Sequence, residues 1–165
     1  MLTDEATDDP LNHGHTILYL MRKMETTMSK LAVVYWSGTG NTEAMAKAVA
    51  EGAQGAEVTV LTAAEFGPEQ MDAYDAIAFG CPSMGVEELE EGEFEPMFSA
   101  CQSKLGGKKI ALFGSYGWGD GEWMRNWEQT CDSAGASRAC DSDICCEEPD
   151  GEALEACKAL GAALV

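Results

Sequence analysis

Apolar residues come in short bursts along this chain, and the spacing inside the bursts keeps changing. At "LAVVYW", residues 31–36, they run together and are rich in β-branched and aromatic types, as in a strand buried on both faces. The next stretch, "NTEAMAKAVAEGA", spaces them helically. Ala44, Met45, Ala48 and Val49 share one face, and Glu43 and Lys47 form an i,i+4 pair on another. The same exchange of patterns recurs. Further strands are predicted at "AEVTVL", around 76–81 in "MDAYDAIAFGCP", at "KKIALFGS" and, more weakly, within "SRACDSDICC". Further helices are predicted at "FEPMFSACQSKL", stopped by Gly106-Gly107, and at "DGEWMRNWEQTCDSAG", with Asp120 as N-cap and Gly135 as stop. A last helix is predicted in "PDGEALEACKALGAALV", with Pro149 near its start. Strands alternating with helices predict an α/β fold, a parallel sheet covered on both faces.

Residues 1–30 break this rhythm. "MLTDEATDDPLNHGH" is polar and turn-rich, and "TILYLMRK" is apolar but short, without the layout of a signal peptide. Met24 and Met28 both precede "SKLAVVYW", so a start at either would leave the earlier residues as an upstream artefact. The expected division is an extension over residues 1–30, poorly ordered or due to an upstream start, and one domain over residues 31–165. No apolar stretch is long enough to span a bilayer as a helix.

Charge narrows the partners. Ten basic side chains face 29 acidic ones, a net charge of −19. Such a surface repels nucleic acid and anionic lipid, and it attracts basic protein faces. The seven cysteines include no CxxC pair, so they lack the spacing of a zinc ribbon, an iron–sulfur site or a thioredoxin motif. All seven read as small buried residues of a reducing cytoplasm, with adjacent Cys145 and Cys146 on opposite faces of any strand there. The only histidines, His13 and His15, fall in the extension, which leaves histidine catalysis improbable and no metal site evident.

Three predicted strands end in glycine-rich loops at one sheet edge, where open α/β sheets bind ligands. The first, "YWSGTGNT", leads into a helix. Gly38 and Gly40 let backbone N–H groups turn inward, Ser37, Thr39 and Thr42 add hydroxyls, and Asn41 or Thr42 begins the helix. It holds no lysine or arginine, so a phosphate there would meet neutral dipoles. It lacks the Gly-Lys-Ser/Thr of a Walker loop, and Glu43 stands where a dinucleotide fingerprint needs glycine.

The second loop, "CPSMGVEELEEGEFE", offers Pro82, Ser83 and the polarisable Met84, followed by a type II′ turn with Gly85 and Val86 at its corners. Glu87 is placed to accept a ring N–H, while Glu88, Glu90, Glu91, Glu93 and Glu95 read as a solvated acidic face. In the third loop, "GSYGWGDG", Trp118 stands between Gly117 and Gly119 with an indole face free to stack. Trp123 and Trp127 read as core, and Trp36 as either a sheet cap or a ligand floor. A cation-free phosphate site, a Met–Gly turn and an open tryptophan together suit a flat heteroaromatic ring with a phosphate tail, the shape of FMN.

From residue 31 onward the chain closely resembles short-chain flavodoxins of the clostridial type, through "VYWSGTGNTE", "GCPSMG" with "EELEEGEFEP", and "KKIALFGSYGWGDGEWMR". The resemblance implies a flavodoxin-like three-layer sandwich with a five-stranded parallel sheet of order 2-1-3-4-5. It also implies one non-covalent FMN and a monomeric, low-potential one-electron carrier moving between oxidised, semiquinone and hydroquinone states. On this resemblance Ser37 to Thr42 hold the phosphate, Met84, Gly85 and Glu87 face the inner ring side, and Trp118 stacks on the outer side, with Ser115, Tyr116 and Gly117 lining the same edge. Val86 departs from the pattern, where clostridial relatives often carry Asp. An FMN-dependent quinone or nitro reductase on the same fold is the alternative; against it stand a single domain and no nicotinamide fingerprint.

Overall fold

The computed structural model describes residue 14, residues 16–21 and residues 28–165. In chain order the elements are β1 (Lys30–Tyr35), α1 (Asn41–Gly52), β2 (Glu57–Thr62), β3 (Ala76–Gly80), α2 (Phe94–Cys101), β4 (Lys109–Tyr116), α3 (Glu122–Ser133), β5 (Ser137–Arg138), β6 (Asp143–Cys146) and α4 (Gly151–Ala163). Every strand pairing is parallel, and the sheet order is β2-β1-β3-β4-β5, with β6 also on β4. The order matches the sequence expectation.

The fifth lane differs in detail. It is not one strand but two short pieces: β5 pairs with the start of β4 at Lys109 and Ile110, and β6 pairs with its end from Phe113 to Tyr116. The ladder carries on to Ala139, whose N–H bonds Ile110 C=O at 2.9 Å, then leaves through Cys140, Asp141 and Ser142. Polar, poor strand formers at a sheet edge explain the break.

Alternate residues of the central strands feed two cores, as a period of two requires. Leu31, Val33, Ala78 and Phe113 meet α1 and α4 on one face; Ala32, Val34, Phe79 and Leu112 meet α2 and α3 on the other. Trp123 and Trp127 lie in that second core, each 2 % exposed. On α1 the buried face is completed by Ala46, with Ala44 only half-buried, and the Glu43–Lys47 pair forms at 3.4 Å. Helices α1 and α4 touch backbone to backbone. A Cβ at Gly52 would overlap Lys158 C=O, and one at Gly161 would overlap Val49 C=O.

Helix α3 is capped differently from the sequence expectation. Gly121, at φ 94°, is the N-cap, and Asp120 instead bonds Arg125 at 2.8 Å. Gly135, at φ 83°, stops the helix as expected. All seven cysteines are free thiols, but only five are buried as expected: Cys140 is half-buried, and Cys146, on the opposite face of β6 from buried Cys145, is exposed. Burial pushes the Cys81, Cys101 and Cys131 thiols up, to about 12, 11 and 12.

Residues 16–21 are helical, with Ile17 to Met21 all exposed. Most of the 1–30 extension lies outside the described residues, including both histidines. Among the described residues no helix is long and apolar enough to cross a membrane, and no group of three or more His, Cys, Asp or Glu could hold a metal.

Candidate functional site

From β1 the chain proceeds to β2 on one side and then to β3 on the other, so the strand order reverses between β1 and β3. The loops after β1, β3 and β4 meet there around a cleft of about 290 Å³. Its walls include Trp36, Gly38, Thr39, Asn41 and Thr42 from the first loop, Pro82, Ser83 and Met84 from the second, and Ser115, Tyr116 and Gly117 from the third. No lysine or arginine is among its lining residues.

The first loop is braced by its own hydroxyls. Ser37 Oγ accepts from the N–H groups of Gly40 and Glu43 at 3.1 and 3.2 Å, and Thr39 Oγ1 accepts from Asn41 N–H at 3.4 Å. Accepting with the oxygen leaves each hydroxyl proton free to donate. Gly40 sits at φ 95° as the N-cap of α1, a conformation glycine adopts without Cβ strain. Thr42, 1 % exposed, shares a 2.9 Å hydrogen bond with Ser115, 5 % exposed, across the floor of the cleft. A Cβ at Gly38 would crowd the ring of Trp36, which also forms part of the cleft wall.

The second loop is a hairpin tip. Met84 and Glu88 exchange two backbone hydrogen bonds, of 2.7 and 2.8 Å, which leaves three residues in the turn. The two-residue II′ turn expected from Gly85-Val86 is therefore replaced by a wider one, with positive φ at Gly85 (53°) and at Glu87 (50°). Val86 is 79 % exposed, and nothing stands within 4 Å of where a Gly85 Cβ would be. Glu87 does not line the cleft. Its Oε1 accepts from the N–H groups of Asp120 and Glu122 at 3.3 and 3.2 Å.

Glu90 is not a merely solvated acid. Its carboxylate accepts from the N–H groups of Gly92, Glu93 and Phe94 at 2.6, 2.8 and 2.8 Å and so caps the start of α2. Burial pushes this carboxyl up, but the N–H bonds together outweigh it, and it titrates below the ordinary glutamate range. A lowered folded pKa adds stability above the unfolded value of about 4.3, and that contribution disappears as pH falls through the folded pKa. Glu90→Ala is expected to cost about 1–2 kcal/mol at pH 7 by the measure of lost helix caps. Urea unfolding at pH 7 and pH 3 should show the difference between variant and wild type shrinking at the lower pH.

On the third loop Trp118 is 61 % exposed and is not among the residues lining the cleft, whereas Met84, 39 % exposed, is. Tyr116 packs on Trp123, ring centroids 5.4 Å apart, and Trp123 Nε1 donates to Cys81 C=O at 3.2 Å, which fixes the base of this loop. Sequence reasoning missed one cleft residue. Glu147, at φ 60°, follows β6, donates its N–H to Tyr116 C=O at 2.7 Å and lines the cleft. The weak strand signal in "DICC" pointed to the same edge, but not to this residue. A larger groove of about 440 Å³ runs between α2 and α3, bordered by Glu88, Glu91 and Glu95. The second loop lines it through Glu87, Glu88, Leu89 and Glu91, and none of its lining residues belongs to the first or third loop.

The parallel order, the switch-point cleft and the cation-free loop at the head of α1 define the class, a doubly wound α/β protein built to hold a ligand at its strand ends. A family model for flavodoxin matches residues 33–161. The flavodoxin of Megasphaera elsdenii is 47 % identical over 133 residues, covering 79 % of this chain and 95 % of that protein. The flavodoxin of Clostridium beijerinckii is 43 % identical, covering 79 % and 96 %. The solution structure of two-electron reduced Megasphaera elsdenii flavodoxin superposes with a TM-score of 0.74 at 44 % identity, over 81 % of this chain and 96 % of that one. The chain belongs to the flavodoxin family. It is thus an FMN-binding electron-transfer protein and not an enzyme.

Proposed function

We propose that residues 31–165 form a low-potential one-electron carrier that holds FMN in the switch-point cleft and passes electrons to basic-faced partner proteins, with residues 1–30 as an extension to it. The observation that carries this reading is the cleft itself. Apolar walls at Trp36, Met84 and Tyr116 sit beside a glycine loop with helix-terminal amides, and no cation lines it. The residues suit the cofactor. Ser37 to Thr42 hold the phosphate through neutral donors, Pro82, Ser83 and Met84 flank the inner ring face, and Ser115, Tyr116 and Gly117 line the edge. Trp118, freed by Gly117 and Gly119, covers the outer face. The free thiols fit a reducing cytoplasm.

Bound FMN would supply the electron chemistry. The chain sets how readily each step occurs. Glu147 in the cleft and the acidic 87–95 loop put negative charge around the ring without a compensating lysine or arginine in the wall. They would disfavour added negative charge on a bound flavin and so lower its second potential. Anaerobic stepwise reduction of the reconstituted protein tests the reading. Two separate one-electron steps in the visible spectrum are expected; a single two-electron step would overturn it.

Gly85 offers a proton-accepting lever. With open space at its Cβ position and a φ of 53°, Gly85 could turn its peptide with Val86 so that the carbonyl oxygen would accept from an N–H of a bound flavin ring. One net hydrogen bond of about 1 kcal/mol corresponds to roughly 40 mV for one electron. Gly85→Ala is therefore expected to narrow the gap between the two midpoint potentials by that order in a spectroelectrochemical titration.

A surface of net charge −19 attracts cationic faces through long-range fields that salt screens. Electron transfer to a basic redox partner, followed by stopped flow, should slow as ionic strength rises. A rate indifferent to salt would point to apolar docking.

A further inference from the structure

We propose that the groove between α2 and α3 is the docking site of this chain's own segment Ile17–Met21, held there by apolar burial and by the charge along the groove's border. Docking there requires no flavin, so it stands apart from the functional reading above.

The segment has the character of a surface that packs on another. Ile17, Leu18, Tyr19, Leu20 and Met21 are each between 52 % and 65 % exposed. Single exposed apolar side chains are ordinary, but five in a row form a patch that water disfavours. Residues 16–21 are helical, and so short a helix is not stable in water through its own hydrogen bonds. Packing against a second surface would stabilise it. On a helix Ile17, Leu20 and Met21 share one face, at the i, i+3, i+4 spacing with which helices lie in grooves. Arg22 and Lys23 follow directly in the sequence.

The groove complements these features. Leu89, Phe98, Trp123 and Trp127 form its apolar wall, and Glu88, Glu91 and Glu95 stand along its border. No lysine or arginine lines it, and at about 440 Å³ it has room for several side chains. An apolar helix face followed by two cations thus matches an apolar trough with an acidic border.

The connection is within reach. Lys30, first residue of β1, donates its N–H to Asp75 Oδ2 and accepts from Asp75 N–H, both at 2.8 Å. Asp72, three residues earlier, pairs at 3.3 Å with Lys104, in the same turn as Gln102, which lines the groove. The extension therefore joins β1 at the sheet end where the groove begins. Nine residue steps separate Met21 from Lys30, a reach of about 30 Å when extended. A tether that short holds the segment at an effective concentration on the order of millimolar.

The test is NMR on the isotope-labelled full chain, for wild type and for Ile17→Asp/Leu20→Asp, whose changed residues are exposed and lie outside both cores. Nuclear Overhauser contacts from the Ile17 and Leu20 methyls to Phe98 and to the side-chain amides of Gln102 and Asn126 are expected in wild type and should be lost in the double variant. Backbone shifts at Ser99, Gln102, Asn126 and Thr130 should move with that loss, while those of α1 stay in place. A second pair of variants reads the charge. Glu91→Arg/Glu95→Arg should weaken the contacts, and Arg22→Glu/Lys23→Glu added to it should restore them. Absence of contacts between segment and groove, with groove shifts equal in wild type and Ile17→Asp/Leu20→Asp, would overturn the docking. Contacts found only between differently labelled chains, and growing with concentration, would overturn it in favour of a second copy. Contacts indifferent to both charge changes would overturn the part given to the acidic border.

Discussion

Gly161→Ala is expected to destabilise the protein by about 3 kcal/mol, the upper end of overpacking costs, although alanine is the better helix former by about 1 kcal/mol. Gly161 is buried inside α4, and a methyl there would run into the backbone carbonyl of Val49 on α1. A side chain can change rotamer to make room, but a carbonyl inside a helix cannot. The two helices would have to separate, which opens the core formed by Met45, Val49, Cys157 and Leu160. Gly52 meets Lys158 C=O in the same interface, so Gly52→Ala should have the same sign, and the double variant should cost less than the sum. Against a total stability of about 5–15 kcal/mol such a loss is large. Urea denaturation monitored by far-UV circular dichroism measures it. A midpoint equal to or above wild type would show that α1 and α4 have slack that this packing does not contain.

Trp118→Ala is expected to weaken FMN binding by about ten- to a hundredfold, since stacking of a flat base on an aromatic side chain contributes about 1–3 kcal/mol. The same change should leave the stability of the flavin-free protein within about 0.5 kcal/mol of wild type, because a side chain 61 % exposed supports little of the fold. Fluorescence titration of the apoprotein with FMN, alongside thermal unfolding, separates the two effects. Loss of stability without loss of affinity would mean that Trp118 packs on the protein and not on the ring. Trp118→Phe, which keeps an aromatic face, should recover most of the affinity.

The two experiments probe different levels of information in the chain. That Trp118 stands at an exposed tip was legible from "GWG" alone, because two flanking glycines offer an indole nothing to fold against. That Gly161 lies against a carbonyl was not. "KALGAAL" reads as an ordinary helix, and only the approach of α1 reveals what the glycine is for. The same holds for Thr42. Its hydroxyl was read as a donor for phosphate, and the pairing it makes with Ser115, 73 residues away on the floor of the cleft, could not be read from the chain. Glu90 read as one more solvated acid in a run of them, and its place as the cap of α2 follows from the way the loop folds back on three N–H groups.

The sequence by itself determined the fold class and the sheet edge at which the chemistry gathers. Periods of two and of 3.6 residues record which side of each element is buried, and glycine-rich loops mark where the backbone must turn tightly; both are local properties of the backbone. Tertiary structure alone decided which acceptor meets which donor. Glu87 turns to the head of α3, the fifth lane splits into β5 and β6, and α1 and α4 close to backbone contact. Those choices join residues tens of positions apart, and packing, not local preference, selects among partners that the sequence leaves equivalent.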